Sequence, residues 1–213
     1  MKVINAGYEI ITPLNRDVVL KRIEQIGRTC YKSEGSIHDD SASRFVDTLV
    51  SAGHEAMIEH CSITVKFICD RGVSHEIVRH RMASYAQEST RYCNYSKDKF
   101  GNEITVIKPC FWNENSEEYS YWFCACKNAE NTYFKLLDSG ATPQEARSVL
   151  PNSLKTEIVV TMNLREWRHF FKLRCSEAAH PQIREIANPL LLEFKEYLPE
   201  IFGDIEPFEN KKV

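Results

Sequence analysis

The sequence predicts an α+β fold: a small antiparallel or mixed sheet covered by helices, in one domain spanning residues 1–213. Three observations lead there. Most periodic segments repeat their apolar residues every three to four positions, which is the helical period. Only two segments, 62–69 and 154–162, alternate strongly over a strand's length. The few strands are not joined in regular βαβ order, which argues against a doubly wound parallel sheet.

The elements follow in order. Asp17 to Ile26 places Val19, Leu20, Ile23 and Ile26 at helical spacing, with Gly27 as the expected stop. Ser43 to Ala52 repeats the pattern with Phe45, Val46, Leu49 and Val50, and Gly53 is the expected residue after the C-cap. Ser62 to Cys69 puts Ile63, Val65, Phe67 and Cys69 on one side and Ser62, Thr64 and Lys66 on the other, a half-buried strand. Ser74 is positioned to cap a short helix, His75 to His80. Arg81 to Ser96 has no clean period and reads as irregular. Ile104 to Ile107 is a short strand stopped by Pro109, and Ser116 to Asp138 a long aromatic-rich helix closed near Gly140. Thr142-Pro143-Gln144-Glu145 is a capping box with proline at the first helical position, and that helix ends at Leu150-Pro151. Leu154 to Met162 is the second strong strand. Asn163 and Glu166 form a capping pair for a helix through Leu173. Pro181 opens the last helix, with Ile183, Ile186, Ala187, Leu190, Leu191 and Phe194 on one face and Pro199 at its end. Trp112, Trp122 and Trp167 are expected in cores, and Glu206 to Val213 as a solvated end. No linker or internal repeat divides the chain.

Composition narrows the function classes. Hydrophobic residues are 43% and charged residues 27%, near globular averages, and the formal net charge is −3. Disorder, collagen, a coiled coil and a disulfide-dense miniprotein are excluded, as is a globally basic nucleic-acid coat. The eight glycines form neither a dinucleotide-binding nor a P-loop fingerprint. Residues 1–6 lack the apolar core of a leader, and no apolar run approaches the roughly 18 residues that cross a bilayer. A reducing cytoplasm is therefore expected, with the eight cysteines as thiols. They contain no CxxC pair. His75 and His80 are five apart, and His54 and His60 six apart, so neither pair has the zincin spacing, and no metal is expected.

The segment that carries chemistry is 71–96, RGVSHEIVRHRMASYAQESTRYCNYS. Arg71, Arg79, Arg81 and Arg91 lie within it, with Glu76 and Glu88 the only carboxylates between them. Arginine presents a planar fork matched to phosphate. Ser84, Gln87, Ser89 and Thr90 add neutral hydrogen-bonding groups, and Tyr85, Tyr92 and Tyr95 add ring faces. The mixture suits a phosphorylated compound with a planar ring. A solvated basic loop paired to acids elsewhere is the alternative. A third reading, from another class, is an Arg/Tyr-rich module for single-stranded nucleic acid.

The same segment resembles a known family. Arg79-His80-Arg81, seven residues and then Ser89, followed by Arg91-Tyr92, is similar to the signature of flavin-dependent thymidylate synthases. Gly53-His54-Glu55-Ala56-Met57-Ile58-Glu59-His60, Ala146-Arg147-Ser148-Val149-Leu150-Pro151, Asn163-Leu164-Arg165, Leu173-Arg174 and Ala179-His180-Pro181-Gln182-Ile183-Arg184 are similar to further family blocks, in order. The resemblance implies an α+β homotetramer with active sites shared between subunits. It also implies formation of dTMP from dUMP, with methylenetetrahydrofolate as carbon donor, NADPH as reductant and FAD as hydride carrier. It assigns dUMP to Glu76, Arg79, Gln87, Glu88, Ser89, Thr90, Arg91, Arg147 and Arg174, with Arg147 coming from another subunit. It assigns FAD to Ala56, Arg79, His80, Arg81, Gln87, Asn163, Arg165 and His169. Arg174 is the implied catalytic residue: a guanidinium beside the pyrimidine carbonyl and N3 favours the N3-deprotonated, electron-rich ring. From spacing alone, Arg174 is a cation at a helix C-terminus. Ser89 has no base and orienter of the kind a nucleophile needs, so it is expected to hydrogen-bond dUMP. Cys93 is expected to pack. Gln87, Ala86, Glu76 and Ala56 depart from commoner forms of the family, and at Ala56 and Ala86 any contact must come from backbone.

Overall fold

The computed structural model describes residues 1–97 and 101–208. Its element order is mixed α+β, with two small sheets among the helices. β1 (Lys2–Ile4) pairs in parallel with β5 (Thr105–Ile107). A second sheet has four strands in the order β2 (Gly7–Ile10), β3 (Ser62–Asp70), β6 (Lys155–Asn163), β4 (Ala83–Gln87). β3 buries Ile63, Val65, Phe67 and Cys69, as its alternation requires, and β6 alternates equally cleanly. The chain forms two compact units. Unit 1 holds Met1–Tyr8, Lys66–Arg79 and Tyr85–Val159; unit 2 holds Glu9–Val65, His80–Ser84 and Val160–Val213.

In unit 1, α3 (Arg71–Ile77) starts earlier than expected. Its cap is Asp70, whose Oδ1 accepts from the Val73 N–H at 2.7 Å; Ser74 lies buried inside the helix. β4 is a strand where the sequence reads as irregular. Its alternation pairs half-buried with exposed positions rather than apolar with polar ones, so hydropathy does not reveal it. α4 (Glu117–Asp138) is capped by Ser116 and closed by Gly140 at φ +95°. α5 (Pro143–Ala146) opens with the expected box: the Glu145 carboxylate accepts from the Thr142 N–H at 2.8 Å. Tyr95, Ile104, Val106, Trp122, Cys126, Tyr133, Ala146 and Leu154 form the core, with Trp112 and Cys93 packed against it.

In unit 2, α1 (Arg16–Thr29) runs through Gly27, which is buried and does not end the helix. α2 (Ser41–Ser51) ends as expected at Gly53, φ +74°, with His54 N–H to Leu49 C=O closing the turn at 2.8 Å. α6 (Leu164–Arg174), α7 (Pro181–Tyr197) and α8 (Pro199–Phe202) gather Trp167, Phe170, Phe171, Phe194 and Phe202 with ring centroids 5.2–5.8 Å apart. Buried Arg168 bridges Glu55 at 2.8 Å and Asp204 at 2.6 and 2.8 Å. Of the expected solvated end, Phe208 is docked instead. Its N–H donates to Cys175 C=O at 2.8 Å and its ring lies 5.0 Å from the Arg184 guanidinium; residues 209–213 fall outside the described residues. None of the eight cysteines is in a disulfide. No helix among the described residues is long and apolar enough to cross a membrane.

Candidate active site

The residues expected to hold dUMP lie in unit 1, except Arg174. Those expected to hold FAD lie in unit 2, except Arg79 and Gln87. The expected dUMP residues thus fall mostly in one unit and the expected FAD residues mostly in the other.

In unit 1 the chain turns at Ser89, whose carbonyl accepts from the N–H groups of Tyr92 and Cys93 at 3.2 and 2.9 Å. Arg91 is exposed on this turn, and its N–H donates to Ser89 Oγ at 3.3 Å. Thr90 is buried, and its Oγ1 accepts from Arg147 Nη1 at 3.2 Å. A contact 57 residues apart in sequence therefore brings a second guanidinium to the turn. Arg91 and Ser89 on the turn, with Arg147 reaching it at Thr90, are donors of the kind that suit a phosphate monoester. Gln87 is held from both sides: its amide N–H groups donate to Ser74 Oγ at 2.9 Å and Thr156 Oγ1 at 3.2 Å. Its carbonyl oxygen is the end that remains for a ligand. Glu76 is half-buried on α3, and Arg79 is exposed just beyond it.

Glu88 is more engaged than the sequence indicates. It accepts from Lys155 Nζ at 3.0 Å and from the Tyr95 hydroxyl at 3.3 Å. Lys155 also pairs with Glu157 at 2.7 Å. Burial works against the lysine's charge, yet the bonds to Glu157 and Glu88 outweigh it and hold its pKa above the ordinary value. Burial, with Glu88 beside it, pushes the Tyr95 phenol up. Lys2, Gly101, Glu103 and Thr105 join Glu88, Tyr95 and Lys155 around a cleft of about 330 Å³. Of the three tyrosines in the segment, Tyr95 is buried, half-buried Tyr85 donates its hydroxyl to Ile77 C=O at 3.0 Å, and Tyr92 alone is exposed. One ring is not a stacking platform, so the nucleic-acid reading loses its main support.

In unit 2 a cleft of about 450 Å³ is lined by Glu55, Glu59, Met82, Asn163, Arg165, Glu166, Arg168, His169 and Lys172. Three of the expected FAD residues, Asn163, Arg165 and His169, border it. Arg165 is exposed and pairs with Glu59 at 2.5 Å. Ala56 and Arg81 are exposed too. Asn163 is the N-cap of α6, accepting from the Glu166 N–H at 2.9 Å.

His80 departs from its exposed arginine neighbours. It is 3% exposed, against the ring of Phe170 at 5.0 Å and of His169 at 5.5 Å. Its Nδ1 lies 3.1 Å from Glu166 Oε1, and its Nε2 accepts from Arg174 Nε at 3.1 Å. Burial, then the charges of Arg174 and His169, lower its pKa to about 4. Burial raises the Glu166 pKa, with His169 opposing. The carboxylate expected to reach back to its own helix cap is turned to His80 instead. His80, Glu166 and His169 are close enough to one another to hold a metal ion. Both His80 ring nitrogens are already engaged, however, one of them by a guanidinium that repels a cation. Glu166, Lys155, Ser74 and Thr156 are the site residues that sequence reasoning missed. Glu166 did stand out, but as a capping residue.

The family model described as "Thymidylate synthase complementing protein" matches residues 17–200. A flavin-dependent thymidylate synthase of Geobacter sulfurreducens is 36% identical over 187 residues, covering 84% of this chain and 79% of the relative. One from Pyrococcus abyssi is 37% identical over 158 residues, covering 74% of this chain and 64% of the relative, so the chain spans less than two thirds of that protein. Among solved structures, a UMP/dUMP methylase from Streptomyces cacaoi, bound with 5-Br dUMP, superposes with a TM-score of 0.75 at 22% identity. It covers 95% of this chain and 96% of its own, and shows the fold. With the family model matching residues 17–200 and the motif blocks in order, the chain belongs to the thymidylate synthase complementing protein family, that of the flavin-dependent thymidylate synthases.

Proposed function

We propose that the protein converts dUMP to dTMP, taking a methylene group from methylenetetrahydrofolate and two electrons from NADPH by way of bound FAD, and releasing tetrahydrofolate. The observation that carries this reading is the Ser89–Cys93 turn with Arg147 bonded to Thr90, which gathers donors suited to an anion at the family's signature. On this reading Arg91, Arg147 and Ser89 take the phosphate. The Gln87 carbonyl, Glu76, Arg79, Glu88 and Thr90 complete the dUMP site, and Arg174 polarises the pyrimidine.

The unit 2 cleft fits a flavin in its donor set. Arg165 and His169 offer groups for a diphosphate, Asn163 offers an amide, and Met82 offers an apolar surface. Ala56, His80, Arg81, Arg79 and Gln87 are the other expected contacts. The Arg165–Glu59 pair is exposed, and such pairs are worth about 0–1 kcal/mol, so exchanging Glu59 for a phosphate costs little. Bound FAD would supply the hydride chemistry, and the chain's own residues would orient the pyrimidine and hold its charge. We place the enzyme in the cytoplasm, as a single-domain protomer of a homotetramer with shared sites.

The purified protein should be yellow or take up FAD, NADPH should bleach the flavin, and dUMP with methylenetetrahydrofolate should then give dTMP. A colourless protein that cannot be reconstituted, or no dTMP from the complete mixture, overturns the proposal.

A further inference from the structure

We propose that Glu166 and His80 form a positioning relay that fixes the guanidinium of Arg174. The inference deepens the functional reading above and rests on it, since it takes Arg174 as the group acting on the pyrimidine.

The geometry is a chain of two hydrogen bonds. Arginine can only donate, so the 3.1 Å contact from Arg174 Nε requires a lone pair on His80 Nε2. The imidazole hydrogen must then sit on Nδ1, where it donates to Glu166 Oε1 at 3.1 Å. Glu166 thereby sets the tautomer, and the tautomer decides whether Arg174 meets an acceptor or a clash of two N–H groups. The ring cannot adapt by rotating freely: it is buried and packed against Phe170 and His169. The charged or titratable groups facing it are Arg174, Glu166 and His169; burial first, then the charges of Arg174 and His169, keep it neutral. Arg174 stands at the last position of α6, where a long side chain would otherwise sample many rotamers. Fixing its Nε edge sets the plane of the guanidinium before any ligand arrives, which is preorganisation of the kind that accelerates a chemical step.

Two experiments on the full-length holoenzyme test this. First, Glu166→Ala and Glu166→Gln are compared at matched FAD content. Gln keeps an acceptor for Nδ1–H, whereas Ala removes it. Glu166→Ala should lower kcat about tenfold with KM for dUMP nearly unchanged, and Glu166→Gln should recover most of it. An unaffected Glu166→Ala overturns the relay. So does equal damage in both variants with KM raised, which makes Glu166 a ligand contact. Second, spectra of the wild-type enzyme with 15N-labelled histidine should show the His80 proton on Nδ1 only. This readout stands even if the alanine variant does not fold, and a proton on Nε2 or an imidazolium at neutral pH overturns the proposal. A wild type that makes no dTMP sinks the functional reading and the Arg174 role with it. An active wild type with an unaffected Glu166→Ala sinks the relay alone.

Discussion

His80, bonded to Glu166 and Arg174, ties the protonation of one buried ring to the stability of the fold. Its pKa is lowered to about 4 by burial and by Arg174 and His169, whereas an unfolded histidine titrates near 6.5. Below about pH 6.5 the unfolded chain binds a proton that the folded chain refuses, so this group costs stability as pH falls from about 6.5 toward about 4, by about 3 kcal/mol in full. Urea unfolding midpoints of wild type and His80→Gln should therefore converge as the buffer is taken from pH 7.5 to 5, because the glutamine cannot titrate. A difference between the two that does not change with pH would mean that His80 is not buried neutral. The same residue shows what one sequence conceals. His80 is visible in the motif as the middle of Arg79-His80-Arg81, but its partner Glu166 is 86 residues away. A carboxylate at the third position of a helix is ordinarily explained by the cap. Nothing in spacing reports that the fold turns this one toward an imidazole instead.

Elements whose burial follows their hydropathy were readable; elements set by packing or polar pairing were not. β3 and β6 are written in their alternation because every second residue is buried. β4 sits at one end of its sheet, after β6, with Ala83, Tyr85 and Gln87 half-buried and Ser84 and Ala86 exposed. Gln87 carries out its inward role through hydrogen bonds, so apolar periodicity cannot report it. Gly27 is the other instructive case. It reads as a stop, yet α1 continues to Thr29 and the glycine is there for a neighbour. A Cβ at this position would lie 2.7 and 2.8 Å from two atoms of the Phe45 ring on α2. Helix propensity alone predicts that Gly27→Ala stabilises by up to about 1 kcal/mol. The contact predicts the opposite, because the ring must leave the place where the Arg28 guanidinium stacks on it at 4.4 Å, and overpacking of this kind costs about 1–3 kcal/mol. Thermal unfolding should show Gly27→Ala below wild type. In a Phe45→Ala background the same substitution should become stabilising. Stabilisation by Gly27→Ala in the wild-type background would refute the packing role.

The whole chain distributes its expected ligand groups between two compact units, with the turn at Ser89 and Arg147 in one and Arg174 and the cleft of about 450 Å³ in the other. The motif blocks are visible in the sequence because each is short and local. The division between units is not, because β3 and β6 each give their residues to both. If sites are shared between subunits, as we propose, Arg147 and Arg174 acting on one dUMP come from different chains. That arrangement has a consequence that no single-chain site can imitate. Arg147→Ala and Arg174→Ala should each be nearly inactive alone. Co-expressed or exchanged in equal amounts, they form mixed oligomers in which about a quarter of the sites receive both native arginines. Activity should rise to about that fraction of wild type, and the mixture should run at a mass about four times the 24.7 kDa of one chain. Each regenerated site also pairs with a doubly defective one, so dUMP titrations should count active sites at the same fraction. If Arg147 and Arg174 act within one chain, mixing restores nothing, because every site keeps one of the two defects whatever its neighbours carry.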